Sequence, residues 1–246
     1  MYLLIDVGNT ATKFVFYSKK DLHYIGRLYN AEINEDSLNM LLKDIKDIDK
    51  VYITSVNPVI NDLVKVVLSK MYHIEIINVD ISFSSDIKIK IDDPNELGED
   101  LYADIVAGYY LYKNKVAIID MGTATKILFI DKDGVFSSCA IFLGFEKSKL
   151  ILSNSTALLP NVNTKDIKKI SDCHNTVDVI NSSTYYSQID TINGIISRYE
   201  KEVGYKVKRV YTGGNAIAFK GTLIKENEYD DLLLFKGMVE LIERRK

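Results

Sequence analysis

Tryptophan is absent from this chain of 246 residues, and cysteine, histidine and proline are scarce at two, three and three. Cys139 and Cys173 form neither a metal-ligand spacing nor a disulfide framework and read as reduced thiols. His23, His73 and His174 are scattered, with no partner at ligand spacing, which argues against a zinc site or a histidine dyad. An excess of one charge is missing as well: 31 Lys and Arg are interspersed with 34 Asp and Glu, for a net charge of −3. Without a basic block, neither nucleic acid nor a membrane surface is an expected partner. Apolar runs such as "VAII" and "KLIL" fall far short of a bilayer span. The N-terminal apolar run has no basic region before it and breaks at Asp6, unlike a signal peptide. The expectation is a soluble, cytoplasmic protein.

What is present is an ordinary globular balance, 47% hydrophobic and 26% charged, enough for one large domain or two smaller ones. The chain opens "MYLLIDVGNTATK". "YLLI" reads as a buried strand that ends in Asp6, Gly8, Asn9 and Thr10. A tight hairpin uses Gly and Asn in this way. A loop holding a metal-bound polyphosphate uses all four, with Gly8 for close backbone approach, Asn9 and Thr10 as donors and Asp6 near a hydrated cation. The stretch alone serves both readings.

Downstream, "TKFVFYS" and "LHYIGRLY" read as strands, "SLNMLLKDI" as a helix, and "VYITSV" as a strand. Pro58 starts a helix with the stripe Ile60, Leu63, Val64, Val67, Leu68 and Met71, followed by the strand "IEIINV". The second half begins the same way. "VAIIDMGTAT" is an apolar strand ending in Asp120, with Gly122 and Thr123 behind it, and "KILFID" and "VFSSCAIF" follow as strands. "FEKSKLILSNSTALL" is a predicted helix stopping before Pro160, and a long helical pattern runs from about Thr184 to Val203. "RVYTGG" reads as a strand and "LLLFKGMVELIERR" as a strand–helix pair. Three antiparallel strands followed by strand–helix crossovers, written twice, describe an α/β protein of two mixed sheets flanked by helices. A ligand cleft between two such lobes is the expectation.

Thr123 and Thr125 stand on alternate positions and are expected on one face. In "YTGGNA", Gly213 and Gly214 offer bare backbone to a nucleotide at the start of a predicted helix, whose N–H groups favour anions. In "DPNELGEDLYADIVAGYYLY", Asp100 falls in a helix's first turn, with Asp104 one turn later on the same face. An acid in a first turn complements the helix dipole. It equally suits a base that orients and deprotonates an attacking hydroxyl in phosphoryl transfer.

"DVGNT", "LGED", "DMGTAT", "TALLP", "HNTVDVINSS" and "YTGGNA", in this order over nearly the whole chain, resemble the type III pantothenate kinase family. The resemblance implies a duplicated actin-like (ribonuclease H-like) fold, each domain a mixed five-stranded sheet, divided here as 1–114 and 115–246. It implies transfer of the ATP γ-phosphate to pantothenate, opening coenzyme A biosynthesis, with Mg2+ and a monovalent cation, K+ or NH4+. Carried over, Asp6, Val7, Gly8, Asn9, Thr10, Ala11, Thr12 and Lys13 form the first ATP loop, and Thr123 is a second ATP contact. Asp120 holds the monovalent cation, Asp100 is the base, and Gly98, Glu99, Asp100 and Leu101 line pantothenate. Thr176 contacts pantothenate from the neighbouring subunit of a homodimer.

The chain departs from the family pattern at several positions. Leu101 stands where an arginine follows the aspartate, Lys126 replaces a threonine after "GTAT", and Ile91 replaces a tyrosine. In "SSCAIFLGF" only Gly144 survives of a Pro-Gly pair, and Ser183 replaces a glycine. The acceptor side is therefore more altered than the nucleotide side. Two further readings stand beside the kinase: a nucleotide-binding accessory or regulatory relative, and a same-fold kinase for another small alcohol.

Overall fold

Strand β1 (Tyr2–Val7) has no polar side chain between Leu3 and Ile5, and these residues are fully buried, which makes it a central strand. A short turn leads into β2 (Ala11–Ser18) and then β3 (Asp21–Tyr29), both antiparallel. Asn34 caps α1 (Glu35–Leu42) by accepting from the Ser37 N–H, and Ser37 returns the bond to the Asn34 backbone. Strand β4 (Lys50–Ser55) pairs parallel to β1, α2 (Pro58–Tyr72) crosses over, and β5 (Ile76–Asn78) extends the sheet. The sheet order is β3-β2-β1-β4-β5. The computed structural model describes residues 1–83, 85–163 and 166–244.

On α2, Val64, Val67 and Leu68 pack with Leu3, Ile5, Val7, Phe14, Val51 and Ile53, while Ile60 and Met71 are partly buried and Leu63 is exposed. After the short β6 (Lys88–Ile89) comes α3 (Glu99–Tyr112), whose middle is buried from Tyr102 to Gly108.

The chain then repeats its plan. Strands β7 (Val116–Met121), β8 (Ala124–Ile130) and β9 (Val135–Leu143) form an antiparallel run. Helices α4 (Phe145–Asn154) and α5 (Thr176–Val203) precede β10 (Lys208–Thr212), which lies parallel to β7, and β11 (Glu228–Tyr229), parallel to β10. The order of these strands is β11-β10-β7-β8-β9, the first sheet's order written for the second half. Phe129 stacks on Tyr199 at 3.9 Å and Tyr185 on Phe219 at 4.6 Å within this core.

Residues group into two compact units, Lys113–Asp231 and Met1–Tyr112 with Leu232–Lys246. The last helix, α6 (Leu233–Arg244), thus joins the first unit, beside the expected division at 114 and 115. It packs on α3, with the Arg244 guanidinium 3.8 Å from the Tyr110 ring centre and Glu243 accepting from the Tyr17 hydroxyl.

Three element expectations change. The "LLLF" segment runs into the start of α6 rather than forming a strand, because buried Phe235, Met238 and Leu241 recur at the three-residue spacing of a helix face. Helix α4 ends at Asn154, well before Pro160. Helix α5 starts at Thr176 rather than near Thr184, because Asn175 accepts from the Asp178 N–H and caps it.

Candidate active site

In the first unit, the hairpin between β1 and β2 is built on three bonds to one residue outside it. Asn30 donates from Nδ2 to the Gly8 carbonyl (2.9 Å), its backbone N–H donates to the Thr10 carbonyl (2.9 Å), and its Oδ1 accepts from the Thr12 hydroxyl (3.1 Å). Thr12 is fully buried, so its hydroxyl shapes the loop from within. Asn9 and Thr10 are exposed at the tip, and Ala11 and Lys13 are half-buried on β2. Asp6, 7% exposed, sits at the end of β1, where the Thr54 hydroxyl of β4 reaches its Oδ1 at 3.5 Å. The backbone of Val7 accepts from the Val56 N–H at 3.0 Å.

The same edge of this sheet receives the start of α3. Glu99 Oε2 accepts from the Ser55 N–H at 2.6 Å, and Ser55 is paired in register with Val7. Burial pushes the Glu99 carboxyl up to about 7, against the lowering effect of that N–H and of Lys65, with Asp80 and Asp100 raising it further. Asp100 follows, half-buried, its Oδ1 lying back over Gly98 and accepting from the Leu101 N–H at 2.8 Å. Asp104, one turn on, is 2% exposed and points into the core, so the two acids do not share an environment.

In the second unit, the hairpin between β7 and β8 has its own latch: Asn215 donates to the Gly122 carbonyl from Nδ2 (2.8 Å) and to the Met121 carbonyl from its backbone (2.8 Å). Thr123 is exposed at the tip. Thr125 does not share its setting: it is fully buried, donating to Gln188 Oε1 of α5 at 3.0 Å, and Gln188 donates on to the Leu143 carbonyl at 2.9 Å. Gly144 survives because of what it touches. Its N–H donates to the Thr123 carbonyl at 3.0 Å, and any Cβ there would run into the Gly122 and Thr123 carbonyl oxygens.

Asp120 carries the most specific contact. Its Oδ2 accepts from Lys126 Nζ at 2.8 Å across the paired positions of β7 and β8, and its Oδ1 lies against Gly213. Gly213 has φ +90°, and a Cβ on it would meet Asp120 Oδ1 at 2.5 Å and the Met121 nitrogen at 2.6 Å. The helix expected after Gly214 is a single 3-10 turn, Ala216–Phe219, too short to supply a helix dipole to an anion. Thr176 opens α5 and is exposed, between exposed Ile170 and Val177.

Asn30, Ser55 and Gln188 carry no signal in the sequence, because each acts through a partner distant along the chain. Asn215 lies inside "YTGGNA", but its latch role depends on the Met121 and Gly122 carbonyls, which are distant along the chain.

The family model of type III pantothenate kinases matches residues 2–198. The chain belongs to that family. Type III pantothenate kinases from Solibacter usitatus (30% identical over 254 residues, covering 99% of this chain and 97% of the relative) and Bifidobacterium longum subsp. infantis (31% over 253 residues, 99% of each) align with it end to end. Among solved structures, a conserved Baf family protein from Campylobacter jejuni superposes with a TM-score of 0.61 at 20% identity, covering 98% of this chain and 97% of that one. The ethanolamine utilization protein EutJ from Carboxydothermus hydrogenoformans gives 0.55 at 14% identity, covering 96% and 87%. The repeated strand order and these neighbours make the fold a duplicated actin-like one, as the family implies.

Proposed function

We propose that this chain transfers the γ-phosphate of ATP to the primary hydroxyl of pantothenate, the first step of coenzyme A biosynthesis. The observation that carries this reading lies in the first unit. The Asp6–Lys13 hairpin and the Asp100 turn of α3 meet one sheet edge, at the ends of β1 and β4, joined by the Glu99–Ser55 bond. In this reading the phosphate loop springs from two strands and the base from a helix tied to one of them, firmer supports than free loops.

In this reading Gly8, Asn9 and Thr10 offer the hairpin tip to phosphate, with Val7, Ala11 and Lys13 flanking it and Thr12 holding its shape. Thr123 is the ATP contact of the second hairpin. Asp6 would hold Mg2+. Among the described residues no three acidic, His or Cys side chains cluster as a metal site, and Mg2+ needs none, since one or two carboxylates with phosphate and water suffice. When bound, Mg2+ neutralises phosphate charge.

Asp100 orients the pantothenate hydroxyl and takes its proton as the bond to phosphorus forms, a contribution of about 10²–10⁴-fold. Gly98, Glu99 and Leu101 line the acceptor. Leucine offers none of the planar donors of an arginine, so pantothenate binds with less help from its carboxylate. We place Thr176 at the pantothenate site of a partner subunit in a homodimer; exposed Ile170, Val177 and Val179 beside it suit an apolar contact. The cytoplasm, where ATP is abundant, is the proposed location, and among the described residues no helix is long and apolar enough to cross a membrane.

The Leu101 departure favours one other reading, a kinase of the same fold for a different small alcohol. ADP release with ATP, Mg2+ and a panel of alcohols separates them. Release that requires pantothenate supports the proposal. Release with another alcohol moves the substrate, and nucleotide binding without release leaves an accessory protein.

A further inference from the structure

A monovalent cation is the expectation at Asp120, and the carboxylate does not suit one. An alkali ion needs several oxygens around it, yet Asp120 Oδ2 already receives the Lys126 ammonium at 2.8 Å, a length typical of a charge-assisted bond. Its other oxygen is backed by Gly213, where no side chain fits. The two side chains are only 15% and 17% exposed, so solvent screens the pair weakly. A second cation at the same carboxylate would face the ammonium as a like charge in this poorly screened setting.

The lysine is delivered by the fold. Position 126 pairs in register with position 120 in the β7–β8 hairpin, whose turn is closed by the Gly122–Ala124 backbone bond and latched by Asn215. This register brings the Lys126 ammonium to Asp120 without an ion being recruited from solution. A threonine at 126 would bring a hydroxyl oxygen in place of the charge, a group that donates oxygen to a bound ion and leaves the carboxylate without its counter-ion.

We propose that the Lys126 ammonium is a tethered replacement for the monovalent cation at Asp120, so that nucleotide binding and turnover by this chain are independent of K+ and NH4+. This rests on the ATP-binding reading of the second hairpin but not on the identity of the alcohol. Tethering substitutes a fixed local charge for an ion recruited from solution, with an effective concentration independent of the medium.

The test is calorimetric titration of the full chain with a non-hydrolysable ATP analogue and Mg2+, in KCl, NH4Cl, NaCl and choline chloride at equal ionic strength. ADP release is followed in the same salts. The wild-type affinity is expected to vary less than twofold across the four. Lys126→Thr, checked for folding by circular dichroism, is expected to bind at least tenfold more weakly in choline and to recover with K+ or NH4+. Lys126→Arg keeps the charge and is expected to stay indifferent to the salt. Stimulation of wild-type binding fivefold or more by K+ overturns the proposal, as does a Lys126→Thr chain that binds like wild type in choline. Absence of analogue binding in every salt overturns the ATP reading and this proposal together, whereas tight, salt-indifferent binding without pantothenate turnover upholds this proposal and removes only the choice of alcohol.

Discussion

The two hairpins present the same elements, an apolar strand, an aspartate, a glycine and a threonine, and the protein secures them differently. In the first, Asp6 faces a lysine position across the β1–β2 ladder, is reached by the Thr54 hydroxyl, and the turn is latched by Asn30 from the end of β3. In the second, Asp120 is bridged by Lys126 and backed by the bare Gly213, and the latch is Asn215 from the turn after β10. Duplication therefore preserved the strand frame while the residues that support each loop came from different elements. An Asp-x-Gly turn thus specifies where a carboxylate stands, and its neighbours specify what that carboxylate can bind. Asp6 remains a candidate for a hydrated divalent ion; Asp120 has its positive charge built in.

The largest expected effect comes from substituting the glycine behind the second carboxylate. Gly213→Ala combines an unfavourable φ with a clash against Asp120 and the Met121 backbone, and is expected to cost about 2–4 kcal/mol in urea denaturation. The nearest counterpart in the first unit, Thr54→Ala, loses one hydroxyl donor shared between the Ile5 carbonyl and Asp6 Oδ1, each at 3.5 Å, and is expected to cost about 1 kcal/mol. Equal losses for the two would contradict the asymmetry.

The buried hydroxyls come next. Thr125→Val leaves Gln188 without its donor, and Thr12→Val does the same to Asn30, each at about 1–2 kcal/mol. Thr12→Val should also weaken binding of an ATP analogue through loss of loop shape. A double-mutant cycle of Thr125 with Gln188 is expected to show coupling, and strict additivity would mean that the two act separately.

The smallest effect concerns pH. The Glu99 carboxyl titrates at about 7 in the folded chain against a usual 4.5. Over that interval the folded chain holds a proton that the unfolded chain has released, so this residue's contribution to stability falls as pH rises from about 4.5 to 7. Glu99→Gln, which keeps an acceptor for the Ser55 N–H, is expected to flatten the slope, removing about 1 kcal/mol of the total change across that interval once the solvent that still reaches the group is allowed for. A slope unchanged by the substitution would remove Glu99 as its source.

Much of this architecture was legible in the sequence because apolar strands bounded by glycine turns carry their own signal. Leu3 to Ile5 and Val116 to Ile119 are continuous apolar runs and became central strands. The sequence places the start of α5 too late because the polar stretch behind the Asn175 cap hides the helical period. "LLLF" is ambiguous in the sequence because a short apolar run fits a buried strand or a buried helix alike. Lys126 was visible as a departure, but only the strand register, which the sequence does not display, puts its ammonium on Asp120.

The proposed role of Asp100 is that of the base in a pantothenate kinase. Its most direct test is Asp100→Asn beside wild type in one preparation, measuring ATP-analogue affinity and pantothenate-dependent ADP release. The prediction is affinity unchanged within about twofold and release lowered by about 10²–10⁴-fold. Release by the variant at the wild-type rate would contradict it.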